Sequence, residues 1–86
     1  MRSLVEVRAD FDDVDDALLR LVQRRLLLAR EAGAIKRSLG LPVTDLNRET
    51  DGRTHRTSWC EAAEVNVDVV ERLFAVLLDA SRAAQS

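Results

Sequence analysis

The sequence holds one cysteine, one histidine, one proline, three glycines and no tyrosine, and each scarcity removes a class of structure or chemistry. Cys60 has no second cysteine to bridge to, which excludes an internal disulfide. It lies beside Trp59 with no basic partner in view, so it reads as packing and not as a nucleophile. His55 has no His, Cys or acidic companion at metal-ligand spacing and reads as an exposed imidazole. Aromatics at 3% and rare Gly and Pro fit helices better than a sandwich or barrel. No apolar run is long enough to span a bilayer, and the start, MRSLVEVRADFDD, lacks the apolar stretch of a signal peptide, so the cytoplasm is the expected compartment. A net charge of −2 gives no reason to expect nucleic acid or an anionic membrane as partner. There is no internal repeat and no low-complexity tract.

What is present is one long periodic stretch. Between residues 4 and 39, Leu4, Val7, Phe11, Val14, Leu18, Leu21, Leu28, Ala32, Ile35 and Leu39 recur with alternating gaps of three and four, and Arg25 takes the one seam position that is not apolar. Side chains so spaced share one face of a helix, which predicts a helix packed against others along its length. At 1.5 Å per residue it would run ~54 Å, whereas a compact chain of this length has a radius of gyration of about 12 Å. A helix that outgrows its own monomer needs its apolar stripe covered, and a second copy of the chain would cover it, so a homodimer is expected. Arg25 must either meet an anion or reach solvent, because burying an unpaired guanidinium costs several kcal/mol. A snorkelling or salt-bridged arginine would satisfy that demand. Lys36, eleven residues on and nearly on the same face, suggests instead two cations that bridge a small dianion. Arg8 sits about 100° around the axis and ~25 Å before Arg25, too far to join it within one chain. In a crossing dimer it could reach the partner's site.

The remaining elements follow in order. Gly33 interrupts the helix-forming run AREAGAIKR at about 1 kcal/mol against alanine, which close packing would explain. Gly40 and Pro42 end the first helix, Asp45 is placed to cap a second, and Arg48 and Glu49 fall in its first turn. Residues 50–63, TDGRTHRTSWCEAA, have the poorest apolar face in the chain and predict only a weak helix. Asn66 can cap a third helix with the stripe Val70, Leu73, Phe74, Leu77 and Leu78, expected to pack on the first. Ser81 and Gln85 continue it one turn apart, either fraying into solvent or acting as neutral hydrogen-bond donors at the rim of a pocket.

Taken together, Arg8 in a long first helix, Arg24 and Arg25, AREAGAIK ending at Lys36, LPVTDLNRE, and the closing VERLFAVLLDASRAAQ resemble the all-helical chorismate mutases of the AroQ type. The resemblance spans residues 1–86 as one domain. It implies an all-α fold of three helices per chain, an intertwined homodimer, and two sites, each lined mainly by one subunit with Arg8 supplied in trans. The reaction implied is the Claisen rearrangement of chorismate to prephenate within one molecule, which needs no nucleophile, metal or organic cofactor. An enzyme for it can only hold the reactive chair and stabilise displaced charge. By resemblance, Arg8 and Arg25 grip the two carboxylates with Arg48 and Ser81 assisting, and Lys36 and Gln85 donate to the ether oxygen. Glu49 lies by the ring hydroxyl through its carboxylate, and Asp45 through its backbone. Relatives carry leucine-like residues where this chain has Gly52 and Arg56, so altered packing of the second helix is expected. Two sister reactions on this scaffold, pyruvate elimination from isochorismate and rearrangement of 4-amino-4-deoxychorismate, are the alternatives, together with a non-catalytic helical dimerisation module.

Overall fold

A computed structural model describes residues 1–86 and is built of three helices: α1 (Leu4–Leu39), α2 (Leu46–Ala63) and α3 (Val67–Gln85). Each starts where a side chain satisfies free backbone N–H groups. At α1 the cap is reciprocal: Ser3 Oγ accepts from the Glu6 N–H at 3.2 Å, and the Glu6 carboxylate accepts from the Ser3 N–H at 3.3 Å. Asp45 caps α2 by accepting from the Arg48 N–H at 3.1 Å, and Asn66 caps α3 by accepting from the Asp68 N–H at 2.8 Å. Gly40 closes α1 in the left-handed region, φ 67°, and the Leu41 N–H donates back to the Lys36 carbonyl at 2.8 Å.

The third helix organises the other two. It packs along both α1 and α2, which make no contact with each other. The result is an elongated chain of 57 × 25 × 15 Å with a radius of gyration of 16.4 Å, well above the ~12 Å of a compact globule this size. Only Ala29, Gly33, Cys60 and Ser81 are buried. Three of these sit where α1 meets the end of α3, and their small size sets how closely the helices approach. A Cβ on Gly33 would lie 2.7 Å from both the Cα and the carbonyl oxygen of Gln85. Much of the seam stays uncovered, with Leu4, Phe11, Val14, Leu18, Leu21, Leu28 and Ile35 all about half exposed or more. No helix is long and apolar enough to cross a membrane.

The second helix is continuous through the stretch of poor apolar character. In place of an apolar contact it has an ion pair. Arg56 turns inward with only 12% of its side chain exposed, and its Nε and Nη2 donate to the two carboxylate oxygens of Glu71 on α3 at 2.8 and 3.2 Å. Its guanidinium lies 4.6 Å from the centre of the Phe74 ring. Gly52, one turn earlier, leaves room for this arrangement, since a Cβ there would stand 3.1 Å from Arg56 Nη1. Gly52, Arg56 and Glu71 therefore form one matched set, which periodicity within a single helix does not reveal.

Candidate active site

Arg25 occupies its seam position without a carboxylate. Half-buried between α1 and α3, its Nη1 donates to Ser81 Oγ and to the Leu77 carbonyl at 3.3 Å. The guanidinium lies 5.8 Å from the centre of the Phe74 ring. Lys36 is treated alike: its Nζ donates to Gln85 Oε1 at 2.5 Å and to the Val43 carbonyl at 2.7 Å. Because an ammonium can only donate, the Gln85 carbonyl oxygen must face Lys36, and the amide nitrogen is left to donate elsewhere.

These contacts place both cations on the same end of α3. Arg25 and Lys36 are eleven residues apart on α1, ~16 Å along the axis, whereas Ser81 and Gln85 are four apart on α3, ~6 Å. Both long side chains thus end on the last turns of α3, Arg25 at Leu77 and Ser81, and Lys36 at Gln85. Gly33 makes the second contact possible, because the α3 backbone at Gln85 comes closer to α1 than any residue with a Cβ would permit. Arg37 reinforces it by donating to the Gln85 carbonyl at 2.9 Å.

The other residues singled out in the sequence are distributed differently. The Asp45 carboxylate is engaged as the α2 cap, and the Arg48 side chain is exposed. Arg8 is exposed on the protruding half of α1, remote from Arg25. Glu49 faces a cleft of about 370 Å³ between α2 and α3. There its Oε1 accepts from both Nε and Nη2 of Arg82, at 3.1 and 2.6 Å, while Arg82 Nη1 donates to Asp79 at 2.9 Å. The hydrogen bond and charge of Glu49 raise the Arg82 pKa above its ordinary value, with burial opposing and Asp79 adding to the rise. Nothing in the chain order marks the roles of Arg82 and Phe74. Arg82 follows Ser81 directly, but its partner Glu49 is 33 residues away on another helix, and no local spacing signals that pair.

The chain is similar to known proteins over most of its length. A chorismate mutase from Methanocaldococcus jannaschii is 28% identical over 85 residues, covering 99% of this chain and 86% of the relative. The T-protein of Enterobacter agglomerans is 38% identical over 68 residues, 79% of this chain, and that of Haemophilus influenzae 31% over 71 residues, 83% of this chain. The aligned parts amount to only 18% and 19% of those two longer proteins. The family model described as chorismate mutase type II matches residues 7–86, nearly the whole three-helix chain with Arg25, Lys36, Ser81 and Gln85 in it. The chain belongs to the type II chorismate mutase family.

Proposed function

We propose that this chain rearranges chorismate to prephenate, working as a homodimer in which Arg8 of each protomer completes the site of the other. The observation that carries the reading is the state of Arg25 and Lys36. Both are half-buried cations without a carboxylate partner, bonded only to carbonyls, a hydroxyl and an amide. Cations bonded only to neutral acceptors have no counter-charge in the protein and are open to pairing with an incoming anion, and chorismate carries two carboxylates.

The mechanism asks of each group only what its chemistry allows. Arg25, steadied by Ser81, takes one carboxylate, while Arg8 of the partner takes the other with help from Arg48. Lys36 and the free N–H of Gln85 donate to the ether oxygen as its carbon–oxygen bond breaks and negative charge grows there. Glu49 accepts from the ring hydroxyl, and the Asp45 backbone assists. Folding the flexible enolpyruvyl arm over the ring removes the entropy cost of finding the reactive chair. No atom is transferred to or from the protein, so the mechanism calls for no cofactor.

The uncovered apolar face of α1 supports the dimer. Phe11, Val14, Leu18 and Leu21 lie exposed between Arg8 and Arg25 on a helix that projects well beyond the radius of a compact monomer. In the cytoplasm, prephenate from this reaction would supply aromatic amino acid biosynthesis downstream of the shikimate pathway.

The test is a direct assay of the purified chain with chorismate, isochorismate and 4-amino-4-deoxychorismate, each product identified separately. Prephenate from chorismate at the highest kcat/KM is expected. Pyruvate release from isochorismate would make it a lyase, and inertness towards all three would leave a dimerisation module.

A further inference from the structure

From the cleft between α2 and α3 we infer that Arg82 is a specificity-determining residue, selecting a ring hydroxyl over a ring ammonium at Glu49. The inference rests on the proposed function, in which Glu49 meets the substituent on the substrate ring. A lone carboxylate cannot make this choice well, because it accepts a hydrogen bond from a hydroxyl and attracts an ammonium still more strongly. What surrounds Glu49 decides.

Two features of the cleft set that preference. Its six charged side chains are Glu49, Glu71 and Asp79 against Arg53, Arg56 and Arg82, so the lining carries no net charge. Arg82 places its guanidinium directly on Glu49, with both bonds falling on Oε1, and no protein hydrogen bond reaches Oε2. Oε2 is thus left as an acceptor on a carboxylate whose charge is already balanced. A neutral hydroxyl needs only that acceptor. An ammonium would bring a second full positive charge beside the guanidinium into a cleft with no surplus negative charge to receive it, and like charges at such range repel strongly in a partly desolvated site. Asp79 cannot serve instead, since its carboxylate is 80% exposed and held by Arg82 Nη1. Glu71 is held by Arg56 through both its oxygens. Replacing Arg82 by a neutral residue leaves a cleft of net charge −1 with Glu49 unpaired, the setting that suits an ammonium.

The experiment compares kcat/KM for 4-amino-4-deoxychorismate and for chorismate in the parent, Arg82→Gln and Arg82→Lys, with circular dichroism confirming the fold of each. The ratio, amino substrate over chorismate, should rise at least tenfold in Arg82→Gln and stay within about threefold of the parent in Arg82→Lys, which keeps the charge. A merely structural role for Arg82 would lower both rates and leave the ratio in place. Arg82→Met, whose unbranched stem refills the space, takes over should Arg82→Gln not fold. An unchanged ratio in a folded neutral variant overturns the inference, as does a parent that prefers the amino substrate. Unfolding of both neutral variants also overturns it, assigning Arg82 to the joint between α2 and α3. A parent that leaves chorismate untouched refutes the proposed function, and this inference with it; an active parent with an unmoved ratio refutes the inference alone.

Discussion

In the proposed mechanism a single amide at Gln85 is both acceptor for Lys36 and donor to the substrate, and that division is testable by pH. Gln85→Glu changes little in shape, but an ionised carboxylate can only accept and would face the growing negative charge on the ether oxygen. The variant should be nearly inactive at pH 7.5 and recover as pH falls towards 5, while the parent stays comparatively flat. Relative rates across pH, with both proteins shown to be folded, decide it, and superimposable profiles would mean that Gln85 does not touch the breaking bond. The two glycines inside helices make a second test, because the same substitution meets backbone at one and a fixed guanidinium at the other. At Gly33 the added methyl meets α3 backbone at 2.7 Å. Its overpacking cost of about 1–3 kcal/mol cancels or exceeds the ~1 kcal/mol gained in helix propensity. Gly33→Ala should not raise Tm, and should lower kcat/KM tenfold or more by pushing Gln85 off Lys36. At Gly52 the methyl meets Arg56 Nη1, the far end of a side chain whose bonds to Glu71 use Nε and Nη2. The guanidinium is one rigid plane, so Nη1 can give way only if the ion pair with Glu71 and the contact with Phe74 shift too, and Gly52→Ala should fail to raise Tm despite the ~1 kcal/mol gained in helix propensity. A stabilised Gly33→Ala would show that the end of α3 gives way freely.

At the scale of the element, α2 is held by charge more than by apolar burial. Cys60 is its only buried residue, it touches α3 and not α1, and its inward arginine depends on Glu71. The hydrogen bond from Arg56 pulls the Glu71 pKa below its ordinary value; partial burial pushes the other way, and the charges of Arg56 and Arg53 add to the lowering. A carboxylate whose pKa is lower in the folded state than in the unfolded chain binds fewer protons when folded. Its stabilisation is therefore fully present above the unfolded value of about 4.5 and is lost as pH falls through the folded one. Glu71→Gln should melt below the parent at pH 7, and the gap in Tm should narrow steadily between pH 5 and 3. A constant gap would assign the loss to packing around Arg56 and not to the charge on Glu71. α1 needs no such support within its own length, since a capping box starts it and a left-handed glycine ends it.

For the whole molecule, the decisive quantity is length. An axis of 57 Å on a chain with four buried residues leaves α1 a helix whose apolar face lacks enough cover from the rest of its own chain. The proposed dimer should sediment at about twice 9.6 kDa. Mixing Arg8→Ala chains with Arg25→Ala chains should restore activity, because in a heterodimer one of the two sites then holds both arginines. If subunit exchange is demonstrated and no mixture exceeds the better parent, Arg8 and Arg25 do not meet across an interface.

The sequence by itself determined the helices. The gaps of three and four along residues 4–39, the caps at Asp45 and Asn66 and the stop at Gly40 are local, and local physics places them within a residue. It also marked Arg25 and Lys36 as cations on one face, with Ser81 and Gln85 one turn apart. Which of these side chains join was not legible there, because a hydrogen bond between residues 49 to 56 positions apart depends on how closely α1 and α3 approach. That approach depends in turn on the missing side chain of Gly33. Gly52 and Arg56 read as a damaged apolar face as long as α2 is considered alone. Only when α3 brings Glu71 and Phe74 against that face does the guanidinium gain the anion and the ring that let it face inward, since a charge is tolerated inside a protein by virtue of partners that the fold, and not the chain order, provides.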